Sequence, residues 1–216
     1  MPPAIRISIV LALSIFALSS CAAAPVAVEK PAVVLNKRIV DAPSFDAPAH
    51  RESHGSTRWF YTCSPYFRFV PIEKEHGSFQ NGTVRIKIRI NSLKVQLGLA
   101  ITILLTRTAD AKVEEHELGH TKICTRIYDT AEKAARETGA HLIGKTYEGY
   151  GSSDESAVDS AVAKAGEDFC KEYRKGTNDL ANAVSAAYDD ICNEGGKTTV
   201  YSAAVDEAFQ RCAPKH

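Results

Sequence analysis

Residues 116–120 read His-Glu-Leu-Gly-His, and this run constrains the fold more than any other part of the sequence. Two histidines four residues apart lie one turn above each other on a helix, so both imidazoles can bind the same ion. Glu117 lies beside them, where its carboxylate can reach a water bound to that ion, and Gly119 leaves room for a substrate backbone. The spacing therefore predicts a helical zinc site, with His116 and His120 as ligands and Glu117 as general base.

Helical periodicity dominates the chain after Asp110. Apolar positions recur at helical spacing, and glycine-containing segments separate the periodic stretches. We predict helices over 113–138, 155–174, 178–193 and 200–211. The first of these carries the two histidines.

Strand-like patterns precede the helices. Aromatic runs at 58–61 and 66–70 are bounded by prolines, and residues 84–90 alternate apolar and basic after the turn pair Asn81-Gly82. Residues 97–105 are apolar throughout, which indicates a buried strand or the approach to the next helix. Strands followed by helices predict an α+β fold, with N-terminal antiparallel strands and a helical half that carries the metal helix.

The N-terminus has the features of an exported lipoprotein. Residues 1–20 carry one charge, Arg6, before an apolar run that is short for a membrane span. The run Leu18-Ser19-Ser20-Cys21 resembles a bacterial lipobox, in which the cysteine is acylated; cleavage after Ala24 is the alternative. Residues 21–55, rich in Ala, Pro and Val without periodicity, predict a tether. The folded domain is then 56–216.

Charge and cysteine content narrow the class of protein. From Cys21 onward the chain carries 25 Lys and Arg and 26 Asp and Glu, so no excess of positive charge suggests nucleic acid. Five cysteines follow, an odd number that permits at most two disulfides in an exported protein. They are Cys63, Cys124, Cys170, Cys192 and Cys212.

A protein zinc site of this kind needs a third protein ligand. The candidates downstream of the motif are His141, Glu148, Glu155 and Glu194, and spacing alone does not choose among them. Cys124 lies one turn beyond His120, but we expect a disulfide or a core thiol there.

Two motifs resemble a family of exported bacterial proteins of unknown function that are predicted to be zinc-dependent proteases (domain-of-unknown-function family 922). That family tends to read His-Glu-x-Gly-His and later Tyr-Asp-x-x-Thr-x-His-Gly. The chain has His116-Glu-Leu-Gly-His120, a cysteine at Cys170, and later Tyr188-Asp189-Asp190-Ile191-Cys192-Asn193-Glu194-Gly195, with Cys192 at the Thr position and Glu194 at the His position. The resemblance spans roughly residues 57–200. It implies a zincin-like fold with Glu194 as third ligand, since two His and one Glu form an established zinc set.

Three further residues have two interpretations each. Tyr188 is either a hydrogen-bond donor to a developing oxyanion or a buried packing residue. Asp189 is interpreted as a partner that orients a ligand histidine, rather than as a ligand. Trp59 is interpreted as a core residue, with a substrate platform as the alternative.

The sequence thus predicts a lipid-anchored, zinc-dependent metallopeptidase-like protein of the bacterial cell envelope, at the periplasmic face or outer membrane. The expected substrate is a peptide bond in a peptide, a protein or a cell-wall cross-link. The expected membrane contact is through the N-terminal lipid only. The alternative is a non-catalytic envelope lipoprotein in which zinc is structural or absent.

Overall fold

The computed structural model describes residues 25–41, 54–76, 84–194 and 201–213. The predicted signal peptide, the lipobox with Cys21 and the turn pair Asn81-Gly82 lie outside the described residues.

Two very long strands form the centre of the sheet. Strand β3 (Gly55–His76) and strand β4 (Val84–Thr106) pair antiparallel along nearly their whole lengths. Alternate β4 side chains are buried from Val84 to Leu105, with one change of phase near residue 91, so the two predicted strand segments are one strand. Pro65 does not interrupt β3, because β3 lies at an edge of the sheet and a proline is tolerated where no ladder N–H is needed.

Three short strands lie one after another along the other edge of β4. Strand β5 (Thr146–Gly151) pairs antiparallel with its first residues. Strands β1 (Val26–Glu29) and β2 (Val34–Val40) pair parallel with it farther along, starting at Leu93 and Ala100 respectively.

Strands β1 and β2 lie inside the stretch that the sequence predicted as a tether. Each is a short run between prolines, too short to show a clear period, and β4 supplies the hydrogen-bonding partner that makes it a strand. The first two strands are also parallel to β4, so the expected N-terminal antiparallel arrangement holds only for β3 and β4.

Four helices complete the described chain. They are α1 (Ala111–Ala140), α2 (Asp154–Lys175), α3 (Asn178–Glu194) and α4 (Tyr201–Cys212). Helix α1 begins where the Asp110 side chain accepts a hydrogen bond from the Val113 N–H, and α2 begins with a capping box formed by Ser153 and Ser156. All four start within two residues of the predicted positions. Among the described helices, none has the length and apolar character to cross a membrane.

The helices pack on one face of the sheet and enclose the core. Ile101 and Val95 of β4, Ile123 of α1 and Phe169 of α2 are fully buried there. The fold is therefore mixed α/β, with one sheet and one helical layer.

One disulfide, between Cys63 and Cys170, joins β3 to α2. Among the described residues Cys124, Cys192 and Cys212 are free thiols. Burial raises the pKa of the Cys124 thiol to about 12, so Cys124 is a protonated core residue, neither a ligand nor half of a disulfide.

Candidate metal centre

The two histidines of α1 meet one carboxylate of α3. His116 Nε2 and His120 Nε2 each lie 3.1 Å from Asp189 Oδ1. The imidazole rings are 5.0 Å apart between centroids, as expected for neighbours one turn apart on a helix. The predicted pairing of His116 and His120 on one face of α1 is therefore present, with an acidic partner from another helix.

Asp189 is an ionised group despite its partial burial. Burial by itself would raise the pKa of this carboxyl, but the hydrogen bonds from His116 and His120 outweigh it and lower the pKa well below its usual range. The site thus holds a fixed negative charge between two nitrogen donors.

The spacing of these three groups suits a single metal ion. Two ligands that lie about 2.1 Å from a tetrahedral ion are about 3.4 Å from each other, close to the observed nitrogen–oxygen separations. The three donor atoms all lie within 4.8 Å of one another. Two imidazoles and a carboxylate are also a ligand set that binds zinc, so the residues fit such an ion with little movement.

Aromatic rings enclose the histidines. Trp59 of β3 stacks on His120 at 6.1 Å between centroids, and Tyr188 of α3 stacks on His116 at 5.0 Å. His120 Nδ1 is buried and has no hydrogen-bond partner within the described chain. A buried polar atom without a partner costs on the order of 1–3 kcal/mol. The stacked rings hold both imidazoles in fixed orientations. Trp59 packs against the hydrophobic core, as predicted, and its ring also lies beside His120.

Gly119 allows α3 to approach α1 at the site. A Cβ at position 119 would overlap the ring and hydroxyl of Tyr188, which is fully buried. The Tyr188 hydroxyl donates to the His116 carbonyl oxygen at 3.2 Å, and burial raises its pKa. The structure thus places this hydroxyl against the α1 backbone, a contact that fits the packing interpretation of Tyr188. The space at Gly119 is filled by Tyr188, which leaves none there for a substrate backbone.

Glu117 lies at the interface between α1 and β3. It is only 5% exposed, and its Oε2 accepts a hydrogen bond from the Thr57 hydroxyl at 2.7 Å. The same hydroxyl also donates to the Glu117 carbonyl oxygen, at 3.1 Å. Gly55 of β3 lies so near this carboxylate that a Cβ there would contact it. Glu117 is thus oriented by the sheet.

The structure does not bring three of the candidate third ligands to the histidine pair. His141 follows the end of α1, 21 residues after His120, or about 31 Å along the helix axis. Glu148 of β5 accepts a hydrogen bond from Arg85 at 2.7 Å, and that guanidinium lowers its pKa to about 2. Glu155 is exposed in the first turn of α2.

Glu194 is the last residue of α3, and its side chain lies outside the described residues. Asp189 was predicted to orient a ligand histidine and not to be a ligand, although it belongs to the Tyr188-Asp189 motif on which the family resemblance rests. Only the packing of α3 on α1 shows which of the acidic groups on α3 faces the histidines.

Comparisons with known proteins give no relative for this chain. It matches no model of a known protein family, and it matches no curated protein and no solved structure. The resemblance to the family of exported HExxH proteins therefore stays a prediction.

Proposed function

We propose that this chain is a zincin-like, zinc-dependent metallopeptidase of the bacterial cell envelope, with His116, His120 and Asp189 as the zinc ligands. The observation that carries the proposal is the position of Asp189 Oδ1, 3.1 Å from both Nε2 atoms. Zinc held there would polarise a substrate carbonyl and lower the pKa of a bound water to about 7.

Asp189 replaces Glu194 in the proposed ligand set. Position 194 lies five residues beyond Asp189, which is about 140° round the axis of an ideal α-helix. In the proposed set, Asp189 supplies the third donor, because its carboxylate lies within 4.8 Å of both histidine nitrogens. Glu194 is therefore not needed to complete the site.

Glu117 is the proposed general base. Thr57 holds Oε2, so Oε1 remains to accept a proton from the attacking water and to return it to the leaving amine. The burial of Glu117 limits the water around it, which strengthens its electrostatic interaction with a bound substrate.

The free edge of β3 supports a peptide as substrate. Pro65 lies opposite Val95 and has no N–H, so its nitrogen points away from β4, and residues 57, 59, 61 and 63 share that register. Their backbone groups face outward at the edge, where no described strand pairs with them. Thr57 contacts Glu117 and Trp59 contacts His120, so an extended peptide added to this edge would pass the metal centre.

A second candidate function is a structural zinc site that clamps α1 to α3. The observation in its favour is that Glu117 and Tyr188, which catalysis could use, are both buried in helix–sheet and helix–helix contacts. The two functions differ at Glu117, because a clamp does not need a base.

Metal analysis with a Glu117 variant tests the proposal. The chain from Pro25 onward should purify with one zinc, and His116→Ala or His120→Ala should remove it. Glu117→Gln should keep the zinc and the Thr57 contact but lower cleavage of casein about 10²–10⁴-fold. Glu137→Gln, the same change near the other end of α1, is the matched control. Undiminished cleavage by Glu117→Gln, or full zinc in both histidine variants, would contradict the proposal.

The proposed location of the protein at the cell envelope rests on the run Leu18-Ser19-Ser20-Cys21, which supports acylation of Cys21. Cys21→Ser should release the protein from membranes under a high-salt wash. A serine variant that resists the wash would show that the anchor lies elsewhere.

A further inference from the structure

One face of the sheet is not covered by any of the described helices. Helices pack against the side chains of alternate β4 residues such as Leu97 and Ile101, while the intervening positions point to the opposite side. On β3 the same side carries Phe60 and Tyr66, which are 67% and 59% exposed. No element of the described chain covers this side, which we name the open sheet face.

The open sheet face is positively charged in a chain whose formal net charge is zero. Its strand positions carry seven cations and four carboxylates, a net of +3. By alternation and register, the cations are Arg38, Arg58, Arg68, Arg85, Lys87, Arg89 and Lys94, and the carboxylates are Glu29, Glu73, Glu75 and Glu148.

Three of the seven cations on this face form ion pairs with the carboxylates of the face, and four arginines do not. Arg85 and Lys87 are neutralised by Glu73, Glu75 and Glu148, and Lys94 is paired with Glu29 at 2.7 Å. The other four are exposed and form no ion pair with a described carboxylate. They are Arg38, Arg58, Arg68 and Arg89.

The candidate lipid anchor, Cys21, is close in sequence to β1, which is a strand of this sheet. Cys21 is five residues before Val26, the first residue of β1, and five extended residues span at most about 17 Å. Beside β1, the helical layer adds about 10–12 Å of thickness on the covered side of the sheet. On the open side, the side chains of the strands are the only described groups between the sheet and a bilayer. A lipid at Cys21 therefore reaches a bilayer on the open side more easily.

We propose that the open sheet face lies on an anionic phospholipid surface. Arginine side chains are attracted by the negative surface potential of such a membrane. Exposed Phe and Tyr side chains can insert among the lipid headgroups. This contact is additional to the lipid and independent of the proposed peptidase. It also orients the molecule, because the metal centre lies in the helical layer and would face away from the membrane.

Vesicle binding by the chain from Pro25 onward tests the proposal without the lipid. This chain contains every described strand and helix. It should sediment with vesicles of phosphatidylglycerol and phosphatidylcholine in equal parts, and not with phosphatidylcholine alone. Arg58→Gln with Arg68→Gln should weaken that binding about 25-fold, about fivefold for each charge. Lys122→Gln with Lys171→Gln, an equal loss of charge on exposed helical positions, should leave it nearly unchanged.

Several results would overturn the proposal. These are no binding to anionic vesicles, an equal loss in the helical control, or binding to single-stranded RNA but not to vesicles. A second measurement covers the case in which the double arginine variant fails to fold. Trp59 is the only tryptophan, so Phe60→Trp in a Trp59→Phe chain places the sole indole on the open sheet face. Brominated anionic lipid should quench its fluorescence, and unquenched fluorescence would contradict the contact.

Discussion

Asp189 joins two helices through one oxygen atom. The hydrogen bonds from His116 and His120 keep its pKa below the usual range, so the carboxylate is available to an ion at neutral pH. A metal ion bound there would replace two nitrogen–oxygen hydrogen bonds by three metal bonds. The same oxygen would then serve as a ligand instead of as a hydrogen-bond acceptor.

Asp189→Asn should weaken zinc binding by well over tenfold, more than the loss of a residue that only orients a ligand, while the size of the side chain is kept. Competition with a chromogenic chelator measures the affinity. The exposed neighbour Asp190 supplies the control, because Asp190→Asn makes the same chemical change away from the histidines.

Glu194→Ala distinguishes the two candidate third ligands. If Asp189 is the ligand, Glu194→Ala should leave the affinity unchanged. A large loss in Glu194→Ala together with a normal affinity in Asp189→Asn would restore the ligand implied by the family resemblance and reject the one proposed from the structure.

The contact between α1 and α3 depends on Gly119. A glycine inside a helix costs about 1 kcal/mol relative to alanine, yet a methyl group here would overlap Tyr188. Tyr188 stacks on His116 and meets His120 edge-on, so a shift of its ring would move both imidazoles. The position thus links helix packing directly to the geometry of the candidate metal centre.

Gly119→Ala should therefore lower the free energy of unfolding by about 1–3 kcal/mol and weaken zinc binding, because overpacking outweighs the gain in helix propensity. Gly166→Ala on α2 is the matched control. A Cβ there meets no atom closer than 3.8 Å, so this change should stabilise the protein by about 0.5–1 kcal/mol. Urea unfolding measures both. Equal stabilisation by the two substitutions would show that the Tyr188 ring can move aside without lowering the free energy of unfolding.

The helices of this protein were more predictable than its strands for a physical reason. Caps such as Asp110 and Ser153 and a sustained 3.6-residue period are local signals, and they located all four helices. Pro65 and the end of the strict alternation at residue 90 predict breaks that the long β3–β4 pairing overrides. The histidine pair of the site is likewise local, whereas Asp189 is brought to it only by tertiary packing.

The stability of the whole molecule depends on the segment before residue 54, because β1 and β2 lie in it. Strand β1 is hydrogen-bonded to the middle of β4, and the Val26 carbonyl oxygen accepts from Arg136 Nη1 at 2.9 Å. The Tyr128 hydroxyl donates to the Pro31 carbonyl oxygen at 3.0 Å. Strand β2 continues the same edge, and its Lys37 pairs with Glu114 of α1 at 2.6 Å. These contacts join both ends of α1 to the N-terminal segment.

A chain that begins at His54 should therefore be less stable than one that begins at Pro25, although both contain every residue of the candidate metal centre. Loss of the buried Val26 side chain alone costs about 2 kcal/mol, and the exposed β4 edge invites association between chains. We expect a lower urea midpoint and concentration-dependent aggregation, measured by circular dichroism and light scattering. A chain that lacks residues 214–216 is the control, because it tests whether removal of terminal residues in general lowers the stability. If the chain from His54 unfolds at the same urea concentration as the chain from Pro25 and stays monomeric, β1 and β2 contribute nothing to the fold, and residues 21–55 are the tether that the sequence predicted.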